Sequence, residues 1–126
     1  MKLNEVVEIV EQLKGCGFKF EAAPLENNVA FVELEKIATK GMEFETALFL
    51  LKKGYKVARR GWNGKGMFLY YVPANSYPAQ TEAAKEHFGD MVDYGAYIAM
   101  KTAQGNVVPW LASQTDVLAE DWEIIK

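Results

Sequence analysis

The sequence predicts an α+β fold, with helices packed on an antiparallel sheet and a small helix-hairpin appendage at the N-terminus. Three observations support this prediction. Segments with apolar residues at helical spacing alternate with short strand-like runs, and the strand-like runs come in pairs around short turn-forming connections. The chain has 126 residues, of which 50% are hydrophobic and 25% charged, the balance of a globular protein.

The first 41 residues form the predicted appendage. Apolar residues recur at helical spacing over residues 4–14, and two glycines follow. Two strand-like runs, residues 18–22 and 29–34, flank a segment with turn chemistry. Gly41 is the predicted junction with a second unit, residues 42–126, although no long Pro/Ser-rich linker separates the two.

The second unit begins with the clearest helix. Apolar residues at spacings of three and four follow Met42, and Gly54 is the predicted terminator. Residues 55–59 and 67–72 are then predicted to pair as strands. The loop between them, residues 61–66, contains three glycines, an Asn-Gly pair and one tryptophan.

The remaining elements follow the same alternation. A second helix is predicted over residues 79–88, and residues 97–102 and 106–110 are predicted to form another hairpin. Ser113, with an acid three residues later, resembles the start of a capped short helix. Residues 122–125 close the chain as a strand.

Several functional classes are excluded by residue types. The single cysteine, Cys16, cannot form an internal disulfide or a thiolate zinc cage, and His87 is the only histidine. No metal or other cofactor is therefore expected. The chain also lacks an apolar run long enough for a secretory signal or a membrane span, so we expect a cytoplasmic protein with no membrane partner.

The charge is unevenly distributed. The net charge is -3, yet the segment from Lys52 to Lys65 has six basic residues and no acid, so the remainder carries -9. Such a segment beside Trp62 could attract phosphates while the indole stacks on a base. Alternatively, its lysines form the solvated end of a helix. Strand alternation sends Arg59 and Arg60 to opposite faces, so one of the two can reach a given pocket.

The glycine loop and the short-helix start permit more than one interpretation. The loop matches neither GxxxxGK[ST] nor GxGxxG. Its glycines allow close backbone approach or, as favoured here, the positive φ of a tight turn. At the short helix, free amides could receive a phosphate or a ribose near Trp110. In the alternative, Ser113 and Asp116 only cap the helix, while Trp110 and Trp122 lie in the core.

The sequence predicts no catalytic set. Four acids could in principle pair for acid–base work, but no spacing forces any two together: Asp90, Asp93, Asp116 and Asp121. The expectation is a protein that is not an enzyme.

Three motifs, residues 59–67, 77–85 and 108–116, with Asp121-Trp122 after them, resemble the phage-borne Thoeris anti-defence protein two family. The resemblance covers roughly residues 42–125. It implies a phage or prophage protein acting in the host bacterial cytoplasm as a non-catalytic sponge for a nucleotide made by a TIR-domain immune enzyme.

The resemblance also implies a ligand and an assembly. Family members bind glycocyclic ADP-ribose in pockets at subunit boundaries of a homotetramer, and some hold cyclic dinucleotides at a second site. The expected partner is therefore a small cyclic nucleotide rather than nucleic acid. The positions in matching motifs that offer a cation, an aromatic face or hydrogen bonds are Arg60, Trp62, Asn63, Trp110, Ser113, Gln114 and Asp116.

Two other functions stay open on the sequence. One is a hydrolase of such nucleotides, with Asp116 or Asp121 as the base. The other is a phage module that binds single-stranded nucleic acid through the basic segment.

Overall fold

A computed structural model describes residues 41–125 and, before them, residues 7, 8 and 11, which are helical. These three positions lie within the helix predicted over residues 4–14. The predicted strand-like runs of the appendage lie outside the described residues.

Residues 41–125 form three helices and seven strands, and they confirm the predicted α+β class. The helices are α1 (Phe44–Lys52), α2 (Glu82–Phe88) and α3 (Gln114–Leu118). The strands are β1 (Lys56–Arg59), β2 (Phe68–Val72), β3 (Asn75–Pro78), β4 (Met91–Tyr94), β5 (Tyr97–Lys101), β6 (Val107–Pro109) and β7 (Trp122–Ile125).

The main sheet has five antiparallel strands in the order β6-β5-β2-β1-β7, and β3 and β4 form a separate two-stranded sheet. Both hairpins predicted for residues 42–126, β1 with β2 and β5 with β6, are confirmed. The pairing that matters most for the site is β1 with β7, in which Arg59 lies opposite Trp122. This register brings the end of β1 next to the residues that precede β7.

Helix α1 supplies one side of the core. Its buried residues Leu50 and Leu51 join Val57 and Leu69 of the sheet, and Trp122 is the largest fully buried side chain. Fully burying each such aliphatic side chain contributes about 1.5–3 kcal/mol. The chain leaves the helix at residue 54, a glycine with φ of 98° that permits the reversal toward β1.

The structure corrects the second predicted helix, expected over residues 79–88. Helix α2 begins at Glu82, because the hydroxyl of Thr81 caps it by accepting a hydrogen bond from Ala84 N at 3.2 Å. Residues 75–78, for which the sequence predicts no helix or strand, form strand β3. Strand β3 pairs with β4 on the other side of helix α2, and this pairing gives its backbone N–H and C=O groups hydrogen-bond partners. The turn-type composition of β3 does not indicate such a pairing.

Candidate functional site

The site lies where the glycine loop after β1 meets the segment from α3 to β7. Arg59, the last residue of β1, lies between two carboxylates. Its Nη1 donates to Asp116 Oδ1 at 2.8 Å, and its Nε donates to Asp121 Oδ1 at 2.9 Å. The exposed fractions of these side chains are 17%, 16% and 28%, respectively, so solvent screens the ion pairs only in part. Two of the four acids considered from the sequence are thus held close together by a shared arginine.

Asp121 anchors the glycine loop. Its Oδ2 accepts from Gly61 N at 2.7 Å, and its backbone oxygen accepts from Arg60 N at 3.0 Å. A Cβ at residue 61 would lie 2.7 Å from Oδ2, so close approach explains this glycine. The interpretation favoured from the sequence is that the glycines of this loop provide the positive φ of a tight turn. It holds only for Gly66, whose φ is 75°. Because no described residue other than glycine has a positive φ, Asn63-Gly64 is not a type I′ turn.

Asp116 holds two tryptophans. Its Oδ1 accepts from Trp62 Nε1 at 3.1 Å, and its backbone oxygen accepts from Trp122 Nε1 at 2.9 Å. Trp122 also packs edge-on against Trp62, with centroids 5.4 Å apart, and against Trp110 at 6.0 Å. Trp122 is therefore a core residue, as one interpretation of the sequence predicted, while Trp62 and Trp110 are half-buried beside it.

Ser113 caps α3 as predicted, since its hydroxyl accepts from Asp116 N at 3.1 Å. The carboxylate of Asp116 does not complete a capping box, because Arg59 and Trp62 donate to it instead. Helix α3 has five residues and none of them is buried, so it is held in place mainly by this cap and by the bonds of Asp116.

The arginine sets the charge state of both acids. Burial raises the pKa of Asp116 and Asp121, but hydrogen bonds from Arg59 and other donors outweigh it and hold each pKa below its ordinary value. The hydrogen bonds that Arg59 donates to Asp121 and Asp116 likewise raise the pKa of Arg59. At neutral pH the three groups carry a net charge of -1, and the two carboxylates are weak bases.

The other predicted site residues surround this cluster. Arg60 does take a different partner from Arg59, donating from Nε to Glu123 Oε2 at 3.3 Å. Arg60, Asn63 and Gln114 are exposed. The structure therefore joins Trp62, Ser113 and Asp116 through hydrogen bonds and Trp110 through Trp122, whereas the other three polar side chains of the predicted set are exposed.

Arg59 was not among the predicted site residues, and Asp121 was named only as a possible base of the alternative hydrolase and in the family resemblance. Because side chains alternate along a strand, the sequence predicts that one of the two neighbouring arginines reaches a given pocket, and Asp121 is next to Trp122. Neither pattern indicates that the side chains of Arg59 and Asp121 meet. Among the described residues, no group of three or more His, Cys, Asp or Glu side chains is placed to hold a metal ion. In the same part of the chain, no helix has both the length and the apolar character needed to cross a bilayer.

Comparison with known proteins identifies the family. A family model described as the Thoeris anti-defense 2-like domain matches residues 42–125. The chain belongs to this family. The Thoeris anti-defense 2-like match contains α1 to α3, all seven described strands and every residue of the site.

A phage relative extends this result. The protein named Thoeris anti-defense 2, from Bacillus phage SP01, is 41% identical over an alignment of 87 residues that covers 67% of this chain and 94% of the relative. The family resemblance of the three sequence motifs is thereby confirmed.

Proposed function

We propose that this protein counteracts Thoeris immunity by binding a cyclic ADP-ribose-type signal, such as glycocyclic ADP-ribose, and sequestering it without cleavage. Membership of the Thoeris anti-defense 2-like family supports the anti-defence role. The proposed place of action is the host bacterial cytoplasm, with the gene carried by a phage or prophage.

The observation that carries this proposal is the half-buried Trp62 indole, which is hydrogen-bonded to Asp116 and lies in a loop with cationic and polar side chains. A nucleotide of this class needs an aromatic face for its base, cations or amides for its pyrophosphate, and hydrogen bonds for its riboses. In the proposed site these come from Arg60, Trp62, Asn63, Trp110, Ser113, Gln114 and Asp116.

The pairing of both acids with Arg59 supports binding without turnover. A general base works best with a pKa near the working pH, whereas the hydrogen bonds from Arg59 lower the pKa of Asp116 and Asp121. The alternative, a hydrolase using either acid as base, predicts a cleaved nucleotide after incubation.

The proposal includes assembly into a homotetramer with the ligand at subunit boundaries. Four exposed tyrosines offer aromatic surface of the kind found at protein interfaces: Tyr71, Tyr77, Tyr94 and Tyr97. Native mass spectrometry measures the assembly, and a monomer at micromolar concentration would contradict this part. The same method tests a second site for cyclic dinucleotides.

Calorimetry with isomers of glycocyclic ADP-ribose tests the binding. We expect binding with the nucleotide recovered intact, and no binding of any isomer or of cyclic dinucleotides at micromolar ligand would refute the proposal. Trp62→Ala should weaken binding by about 1–3 kcal/mol, the usual cost of a lost stacking partner. Phe88→Ala, which removes an aromatic ring that is 59% exposed on α2, is the matched control and should leave binding unchanged.

A second candidate, single-stranded nucleic-acid binding, is favoured by one observation. The ammonium groups of Lys56 and Lys101 lie 5.1 and 6.0 Å from the ring centroid of Phe68, and neither forms an ion pair with a described residue. Cations around an aromatic ring suit phosphates and stacked bases. Steeply salt-dependent retention of oligonucleotides would support this candidate, and its absence would exclude it.

A further inference from the structure

The carboxylate of Asp116 is shared by a charged and an aromatic partner. Arg59 Nη1 and Trp62 Nε1 both donate to Oδ1, at 2.8 and 3.1 Å. We propose that Asp116 is a positioning residue that fixes the Trp62 indole for stacking on the nucleotide base, and that it does not itself contact the nucleotide. This inference rests on the proposed function, and it replaces the direct ligand contact considered for Asp116 with an indirect one.

The charges of the cluster favour this role. With Arg59 between two ionised acids, the cluster carries a net charge of -1 and repels a pyrophosphate. Each carboxylate oxygen has about two lone pairs, and the two donors already occupy those of Oδ1. The side chain of Arg60, the cation of the proposed site, is exposed and pairs with Glu123. Trp62 is the member of the hydrogen-bonded cluster that can offer a base its aromatic face.

Asp116 also controls the surface against which Trp62 packs. Trp62 lies edge-on to Trp122 with centroids 5.4 Å apart, and the Trp122 indole donates to the backbone oxygen of Asp116 at 2.9 Å. One residue therefore fixes both rings, one through its side chain and one through its backbone. Ordering a side chain before binding saves the entropy cost of immobilising it, which corresponds to about two- to tenfold in affinity.

A ligand-free measurement tests the positioning. In the full chain labelled with 15N, Trp62→Phe assigns the Trp62 indole N–H by removing its resonance. In Asp116→Ala we expect the exchange of this proton with water to accelerate by about tenfold or more. The Trp122 indole should stay protected, because its acceptor is the backbone oxygen at residue 116. Asp90→Ala, which removes a carboxylate that is 88% exposed, should change neither signal. Unchanged exchange at Trp62 in Asp116→Ala would overturn the inference.

A double-mutant cycle separates positioning from direct contact. With glycocyclic ADP-ribose as the probe, Asp116→Ala should weaken binding by about two- to tenfold in the natural chain. In a Trp62→Phe chain, which keeps a stacking ring but lacks the indole N–H, the same change should cost less than about twofold. Equal losses in both backgrounds would mean that Asp116 contacts the nucleotide, and would overturn the inference.

Two further outcomes are distinguishable. If the natural chain binds none of the nucleotides, the proposed function fails, while the exchange measurement still decides whether Asp116 holds the Trp62 ring. If Asp116→Ala fails to fold, Asp116→Asn replaces it, because an amide oxygen can still accept from Trp62. Asp116→Asn should keep Trp62 protected and affinity within about twofold of the natural chain, and loss of protection in this variant would overturn the inference.

Discussion

The guanidinium of Arg59 has two carboxylate partners, and each partner fixes a different part of the site. Asp121 holds the backbone of the glycine loop through Gly61, and Asp116 holds the ring of Trp62. Removing one of the two carboxylates would leave the charge of Arg59 partly uncompensated. The resulting loss of folding free energy is larger than the net contribution of the hydrogen bond itself. Arg59 and Asp121, which fix the geometry of the site, are therefore not among the residues whose chemistry suits the nucleotide.

Gly61→Ala tests the close approach of the loop to Asp121. The added methyl would lie 2.7 Å from Asp121 Oδ2 and displace the carboxylate from the Gly61 N–H. We expect the free energy of unfolding, measured in urea, to fall by about 1–3 kcal/mol. Gly95→Ala is the matched control, because a Cβ there meets nothing within 4 Å and φ is not positive. An equal effect in both variants would contradict the prediction.

The two acids also predict how stability depends on pH. Because the pKa of Asp116 and of Asp121 is lowered in the folded state, the stabilisation is present above the unfolded pKa of about 3.9 and is lost as pH falls through the folded pKa. Urea unfolding at a series of pH values should show this loss at the acidic end. In the variant with both Asp116→Asn and Asp121→Asn, the acid dependence should be shallower. An equally steep dependence would show that other acids are responsible.

At the level of elements, local pattern accounts for most of the fold. The helix before Gly54, both main-sheet hairpins and the final strand follow from apolar spacing and turn residues. Strands β3 and β4 do not, because Asn75–Pro78 has the composition of a turn and its partner lies beyond α2. The pairing of β3 with β4 satisfies the backbone hydrogen-bonding groups of both strands. A local sequence pattern cannot indicate which distant segment supplies these hydrogen-bond partners.

The same limit applies to the site. Ser113 and Trp62 are indicated by local chemistry, a cap and an aromatic in a glycine loop. Arg59 and Asp121 are 62 positions apart and meet because β1 pairs with β7 in one register. That register depends on the whole sheet, so no motif or spacing in the sequence predicts the ion pair.

Helix α3 depends on its cap. It contains no buried residue, so packing contributes little and the hydroxyl of Ser113 supplies a large share of its stability. Ser113→Ala should lower the free energy of unfolding by about 0.5–2 kcal/mol. It should also loosen the backbone at Asp116, which accelerates exchange of the Trp62 indole proton. Thr115→Ala, an exposed position in the same helix, is the control, and equal effects of the two would contradict a capping role.

At the level of the whole molecule, ion pairs reduce the cationic character that the sequence suggests. Six basic residues between Lys52 and Lys65 carry the local positive charge, but Arg59 is compensated by two acids and Arg60 by Glu123. The lysines of this segment form no ion pair with a described residue. Long-range attraction of a phosphate is therefore due chiefly to lysines, and it weakens as ionic strength rises.

The proposed division at residue 41 leads to a prediction for the chain without its appendage. The buried hydrophobic residues of the described chain run from Met42 to Ile124, and the family match covers 42–125. A chain beginning at Gly41 should therefore unfold cooperatively in urea and bind glycocyclic ADP-ribose within about threefold of the full chain.

A slightly shorter chain, beginning at residue 44, is the matched control for this prediction. It lacks Met42, which is 6% exposed and exchanges two backbone hydrogen bonds with Trp122, at 2.7 and 3.1 Å. Losing this buried side chain should cost at least about 2 kcal/mol of unfolding free energy relative to the chain beginning at Gly41. If both shortened chains fail to fold, the first 40 residues are part of the same folding unit, and the division at residue 41 is wrong. If the longer of the two folds but binds no nucleotide, the appendage belongs to the binding site rather than to the fold.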